Sequence, residues 1–130
     1  MCIFCDLAKE HGTAVHDDDK CFAIPDKYPS EYGHLLVISK DHVESLLPAS
    51  DEMVSHMFIV SKSIAQLLKE RLGATGVNVA TNIGRDAGQM IDHFHIHVIP
   101  RGVDAPGFMR HKELSSADYE SLVARLKRPG

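Results

Sequence analysis

Cysteine is scarce in this chain: three in 130 residues, an odd number that cannot pair completely. The opening stretch MCIFCDLAKEHG has no basic region followed by an apolar core, so no secretory signal is expected. Together these favour metal-bound or reduced thiols over a disulfide framework, and make the cytoplasm the expected compartment. Long apolar runs are missing as well. The longest helical stretch still carries Ser, Lys, Gln and Glu, which excludes a bilayer span and leaves no membrane partner to expect. Positive charge is not in excess: a formal net charge of −4 argues against a nucleic-acid partner, although local donors could hold a small anion. Internal repeats and low-complexity segments are absent. With 44% hydrophobic and 25% charged residues, the composition is that of a globular domain, and the length suits a single one, 1–130.

Histidine, by contrast, is abundant, with nine residues. The run DHFHIHVIPR sets His93, His95 and His97 at alternate positions. Residues i, i+2 and i+4 of a strand project from one face. The three imidazoles therefore share a face, and Phe94, Ile96 and Val98 share the other, available to pack under a helix. A sheet with one buried face explains the alternation but not the choice of histidine for the outward positions.

The remaining pattern supplies that sheet. Strands are predicted at 21–24, at 34–39 (HLLVIS), at 76–83 (GVNVATNI) and at 90–100, the last two joined into a hairpin by GRDAGQ. Residues 40–47 suggest a short helical turn before Pro48. Ser50 is placed to cap a long helix, with Asp51 and Glu52 in its first turn and Gly73 at its end. Apolar residues at Met53, Met57, Val60, Ile64 and Leu67 keep helical spacing, widened by Val54, Phe58, Ala65, Leu68 and Leu72. Ser115 or Ser116 opens a terminal helix whose Leu122, Val123 and Leu126 could dock on the body. The expected fold is α+β: an antiparallel sheet of about five strands with one long helix and a C-terminal helix.

Clustered imidazoles can bind a metal or handle a phosphate, one as nucleophile and others as hydrogen-bond donors. The loop before the triad favours phosphate. Gly84, Gly88, Asn82 and Gln89 offer backbone and side-chain donors in a nest-like turn, whereas Asp86 is the one carboxylate there that could complete a metal shell.

The run N-x-G-x-x-A-G-Q-x-x-x-H-x-H-x-H-x-x-P-R, from Asn82 to Arg101, resembles the histidine-triad (HIT) nucleotide-binding family. GHLLVISKDHVESL, beginning at Gly33, and the CIFC and Asp26 regions resemble two further motifs of that family, in the same order. The resemblance implies that His95 attacks the α-phosphorus of a purine nucleotide conjugate, forming a nucleotidyl-histidine that water hydrolyses. Its tautomer would be held by a backbone carbonyl. It casts His97 and His34 as partners of the phosphate or the bridging atom. Asn82, Gly88, Gln89 and the backbone of Met90 fall at the phosphate, Asp26 at the ribose hydroxyls and Ile24 near the base; Phe22 reads better as packing. Met90 stands where relatives often carry Ser or Thr, so no hydroxyl donor is available there.

The resemblance also implies a structural zinc held by Cys2, Cys5, His42 and His93, with no catalytic metal required. Four such ligands suit a closed tetrahedral site. It further implies a homodimer formed through the long helix and an edge strand. The expected activity is cleavage of nucleoside phosphoramidates or related conjugates. Dinucleoside polyphosphate hydrolysis, or nucleotide binding with little turnover, is the alternative. Arg101 and Arg110 could meet a distal phosphate or remain surface charges. His11, His16, His56 and His111 have no constellation in the sequence and read as surface or packing residues, and Cys21 reads as a small buried hydrophobe.

Overall fold

The computed structural model describes residues 3–7 and 14–127. Element order is α1 (Ile3–Leu7), β1 (His16–Asp17), β2 (Cys21–Pro25), β3 (Leu35–Ser39), α2 (Asp51–Leu72), β4 (Gly76–Ala80), β5 (His95–Arg101) and α3 (Ser116–Leu126), with a 3-10 turn at Arg85–Ala87. The strands form one five-stranded antiparallel sheet in the order β1-β2-β3-β5-β4. This is the α+β arrangement expected; α1 and the two-residue β1 are additions too short to leave a periodic signal. No helix among the described residues is long and apolar enough to cross a membrane.

Alternation along the strands divides the interior in two. Cys21, Ala23, Leu35, Val37, Ile96 and Val98 pack with Phe94 against Met57, Ile64 and Leu68 of α2, and Leu122, Val123 and Leu126 of α3 join the same cluster. Phe22, Ile24, Leu36 and Ile38 face the other way and gather with Phe4 of α1. The β3–β5 register sets His95 opposite Ile38 and His97 opposite Leu36, so both imidazoles stand on this second face. Phe94, Ile96 and Val98 lie under α2, as the sequence pattern requires.

Helix α2 is bounded as its sequence dictates. The Ser50 hydroxyl accepts the Met53 N–H at 3.1 Å, and Gly73 closes it in the left-handed region at φ 70°. The ends of α2 and α3 cap one another: Arg71 donates to the Arg125 carbonyl at 3.1 Å and Arg125 to the Arg71 carbonyl at 3.2 Å.

The strand expected at 76–83 ends at Ala80, and two other boundaries differ from expectation for one shared reason. Residues 40–47 form bends and turns, not a helix. Two of their carbonyls are taken by distant donors, Val43 by the Phe94 N–H and Glu44 by the Gln89 amide, and the Asp41 carbonyl is taken by the nearby Ser39 hydroxyl. The same contacts hold residues 91–94 off the ladder, so β5 begins at His95 and His93 precedes it.

Candidate active site

His95 sits at the start of β5 and is 8% exposed. Its Nδ1 lies 2.6 Å from the His93 carbonyl, which can only accept. Nδ1 therefore carries the proton and Nε2 keeps its lone pair. Thr81, just past β4, donates its hydroxyl to the His95 carbonyl at 2.7 Å and fixes the backbone from the other side. The ring meets those of Phe4 and His97 edge-on, with centroids 5.1 Å away in each case.

A second chain of hydrogen bonds starts from the loop that joins β2 to β3. The Ser30 backbone N–H, which can only donate, points at His34 Nδ1 over 3.1 Å. His34 must then hold its proton on Nε2, and that nitrogen lies 2.9 Å from His97 Nδ1 and 3.5 Å from a carboxylate oxygen of Asp26. His97 in turn keeps its proton on Nε2. One backbone amide thus sets the tautomers of two histidines and turns His97 into a donor. Burial pushes His34 down to about 4, against the attraction of the Asp26 carboxylate. Burial also lowers His95 and His97. All three are neutral at pH 7, so His97 offers an N–H dipole rather than an imidazolium charge.

Asp26 follows β2 directly; one carboxylate oxygen accepts the Tyr28 N–H at 2.9 Å and the other faces His34. Ile24 lies in the apolar cluster on this face, with Phe22 beside it. Asn82 reaches the Gly88 carbonyl at 3.4 Å. The Gly88 N–H, cast as a phosphate donor, is already given to the Arg85 carbonyl at 2.9 Å. Gln89 is 4% exposed and its amide holds the loop together: the oxygen accepts the Gly84 N–H at 2.8 Å, and the nitrogen donates to Glu44 and Ile91 carbonyls. Met90 is 86% exposed at the loop's edge. Arg101 and Arg110 both grip Glu31, tying the end of β5 and the segment after it to the β2–β3 loop.

Cys5, His42 and His93 converge on a separate point. The Cys5 Sγ lies 3.4 Å from His42 Nδ1 and 3.6 Å from His93 Nδ1, and the two nitrogens are 3.1 Å apart. Tetrahedral zinc with Zn–S of about 2.3 Å and Zn–N of about 2.0 Å sets S and N about 3.5 Å apart and two nitrogens about 3.3 Å apart. The triangle therefore has zinc dimensions. The Ser39 carbonyl takes the His93 Nε2–H at 2.6 Å, freeing Nδ1 as a ligand, and the Ser39 hydroxyl adds a contact at 3.1 Å. Cys2, the expected fourth ligand, lies outside the described residues.

Sequence reasoning passes over Ser30, Ser39, Thr81 and Phe4. The first two act through contacts to residues that nothing in their spacing identifies, and α1 is too short for periodicity to announce Phe4.

Comparison with known proteins agrees with this fold. Residues 8–103 match the HIT domain. A crystal structure of a hypothetical histidine triad nucleotide-binding protein from Sulfolobus tokodaii superposes with a TM-score of 0.89 at 38% identity, covering 97% of this chain and 89% of the other. A zinc-bound histidine triad family protein from Mycobacterium smegmatis gives 0.79 at 32% identity, over 96% of this chain and 92% of that one. Among curated sequences, a protein named Adenylylsulfatase HINT3 from Arabidopsis thaliana is 33% identical over 102 residues, 77% of this chain and 52% of its own length. The chain belongs to the HIT family.

Proposed function

We propose that the protein hydrolyses nucleoside phosphoramidates or related purine nucleotide conjugates through a nucleotidyl-histidine at His95. The observation that carries this reading is the fixed tautomer of His95: a lone pair on Nε2 with the Nδ1 proton bound to the His93 carbonyl. As Nε2 bonds to the α-phosphorus, the bond from phosphorus to the leaving nitrogen breaks and that nitrogen takes a proton from solvent. The ring becomes cationic, and the carbonyl at 2.6 Å stabilises the charge. The His97 N–H is the donor for the phosphoryl or bridging atom. Water then attacks phosphorus, releasing the mononucleotide and restoring His95. Asp26 has one carboxylate oxygen free of the Tyr28 N–H for ribose hydroxyls, and the Phe4, Ile24 and Leu36 cluster offers an apolar wall for a base.

In this reading Cys2 joins Cys5, His42 and His93 around a structural zinc, and the triangle's dimensions are its support. A thiolate set of this kind fits a reducing cytoplasm. A second copy of the chain is the proposed partner. It would cover the β4 edge and the adjoining groove of 430 Å³, where Phe58, Ala65, Val77 and Val79 lie.

The test is release of AMP from an adenosine 5′-phosphoramidate. His95→Ala should lower turnover by about a thousandfold or more while nucleotide binding persists. Full turnover in that variant would end the nucleophile assignment. Faster cleavage of a diadenosine polyphosphate would move the substrate to that class, and AMP binding without a covalent intermediate in the wild type would leave a binding module.

A further inference from the structure

At the β1 edge of the sheet a third group of ligating side chains meets, remote in sequence from the triad. Asp18, in the β1–β2 turn, accepts the backbone N–H groups of Lys20 and Cys21 on Oδ1, at 2.7 and 2.9 Å. That oxygen alone does the work of capping the turn. The other, Oδ2, is the centre of a different gathering: His16 Nε2 of β1 at 2.7 Å, His56 Nε2 of α2 at 2.9 Å and the Cys21 Sγ at 3.7 Å. Ligand atoms of His16, Asp18 and Cys21 all lie within 4.8 Å of one another. The histidines and Asp18 are partly exposed, while Cys21 is 0% exposed, so the cluster opens to solvent through its imidazoles and has a thiol as its floor.

A turn-capping aspartate needs no such company on its second oxygen. Two imidazoles, a carboxylate and a thiol form a mixed N/O/S set of the kind zinc takes. Bonds of about 2.0–2.3 Å in a tetrahedron place ligand atoms about 3.3–3.6 Å apart, so an ion would push the two imidazole nitrogens about half an ångström out from the Asp18 oxygen, close His16 and Cys21 from within 4.8 Å, and turn His56 in from its bond to Asp18. Burial and the neighbouring Asp18 carboxylate raise the Cys21 thiol far above its ordinary range, so it is protonated until a cation displaces that proton. Burial would raise Asp18 too, but donors from His16, Cys21, Lys20 and His56 hold it well below the carboxylate range, ready as an anionic ligand.

We propose that His16, Asp18, Cys21 and His56 bind a zinc-class divalent cation at a second site, clamping the β1–β2 hairpin to α2. The ligands come from three elements, so a bound ion would cross-link the sheet edge to the long helix independently of the Cys5, His42 and His93 triangle.

Of the three cysteines, Cys2→Ser/Cys5→Ser leaves Cys21 as the sole thiol in the full chain. Titration with cobalt(II) alone should then develop a thiolate-to-cobalt absorption band that saturates at one equivalent. The band should vanish on adding Cys21→Ser, and half-saturation should need about tenfold more cobalt or higher after His16→Gln or His56→Gln. No band in the folded double variant, with folding checked by circular dichroism, overturns the site, as does a band that survives Cys21→Ser. Should that variant not fold, the zinc content of the otherwise wild-type chain decides. His16→Gln/His56→Gln should carry one zinc fewer than wild type after gel filtration, and equal content refutes the proposal. Neither measurement depends on nucleotide turnover or on the first zinc site.

Discussion

Replacing His34 with Asn should flatten the acid side of the folding-stability curve. His34 is 5% exposed, and burial holds it at about 4, against about 6.5 in an unfolded chain. A depressed histidine is native in its neutral form. As pH falls below about 6.5 the unfolded chain takes up a proton that the fold refuses until about 4, so the contribution is full above 6.5 and is lost on descent through that window. The slope is about 1.4 kcal/mol per pH unit in the middle of the window, and His34 accounts for about 2 kcal/mol between about pH 8 and pH 5. Asp26 at 3.5 Å works against the shift, His97, Arg101 and His111 add to it, and all four are included in it. Asn keeps an acceptor for the Ser30 N–H and carries no group that titrates in this range. The assay is urea denaturation of both proteins across this range with EDTA present, so that bound metal adds nothing. Wild type should lose about 2 kcal/mol more than the variant, the difference belonging to His34 with its bond to His97. Curves that run parallel would refute a buried, neutral His34.

Two other substitutions test the frame around the site. Gly33 has φ +93°, and a Cβ there would stand 2.4 Å from Leu72 Cδ1 and 3.1 Å from Pro100 Cγ. Gly33→Ala should therefore cost about 2–4 kcal/mol of stability by urea denaturation, from left-handed strain plus overpacking, and a near-neutral result would contradict that contact. Ser39→Ala removes the hydroxyl 3.1 Å from His93 Nε2 but keeps the carbonyl at 2.6 Å. Zinc affinity at the Cys5, His42 and His93 triangle should fall about tenfold or more in competition with a chromophoric chelator, and an unchanged affinity would deny Ser39 its part in aiming the ring.

Local pattern carried much of this protein. The stripe of α2, its Ser50 and Gly73 caps, and the alternation of β3 and β5 follow from rules that act over two to four residues, so they were legible without a fold. That His95 and His97 turn away from the long helix follows from the same alternation. The motifs from Asn82 to Arg101 add the family, and with it a list of residues, but no geometry.

Tertiary structure decided the chemistry. The proton positions on His95, His34 and His97 depend on one carbonyl and one amide, His93 and Ser30, that the fold aims at them. Residues 40–47 left their expected helix because distant donors claimed the Val43 and Glu44 carbonyls, and His93 left the ladder to meet Cys5, which lies 88 residues away in sequence. His16 and His56, read as surface or packing residues, share one oxygen of Asp18. Periodicity records which face a residue occupies. It holds no record of what stands opposite, because that is fixed only when segments far apart in the chain pack and their polar groups must find partners.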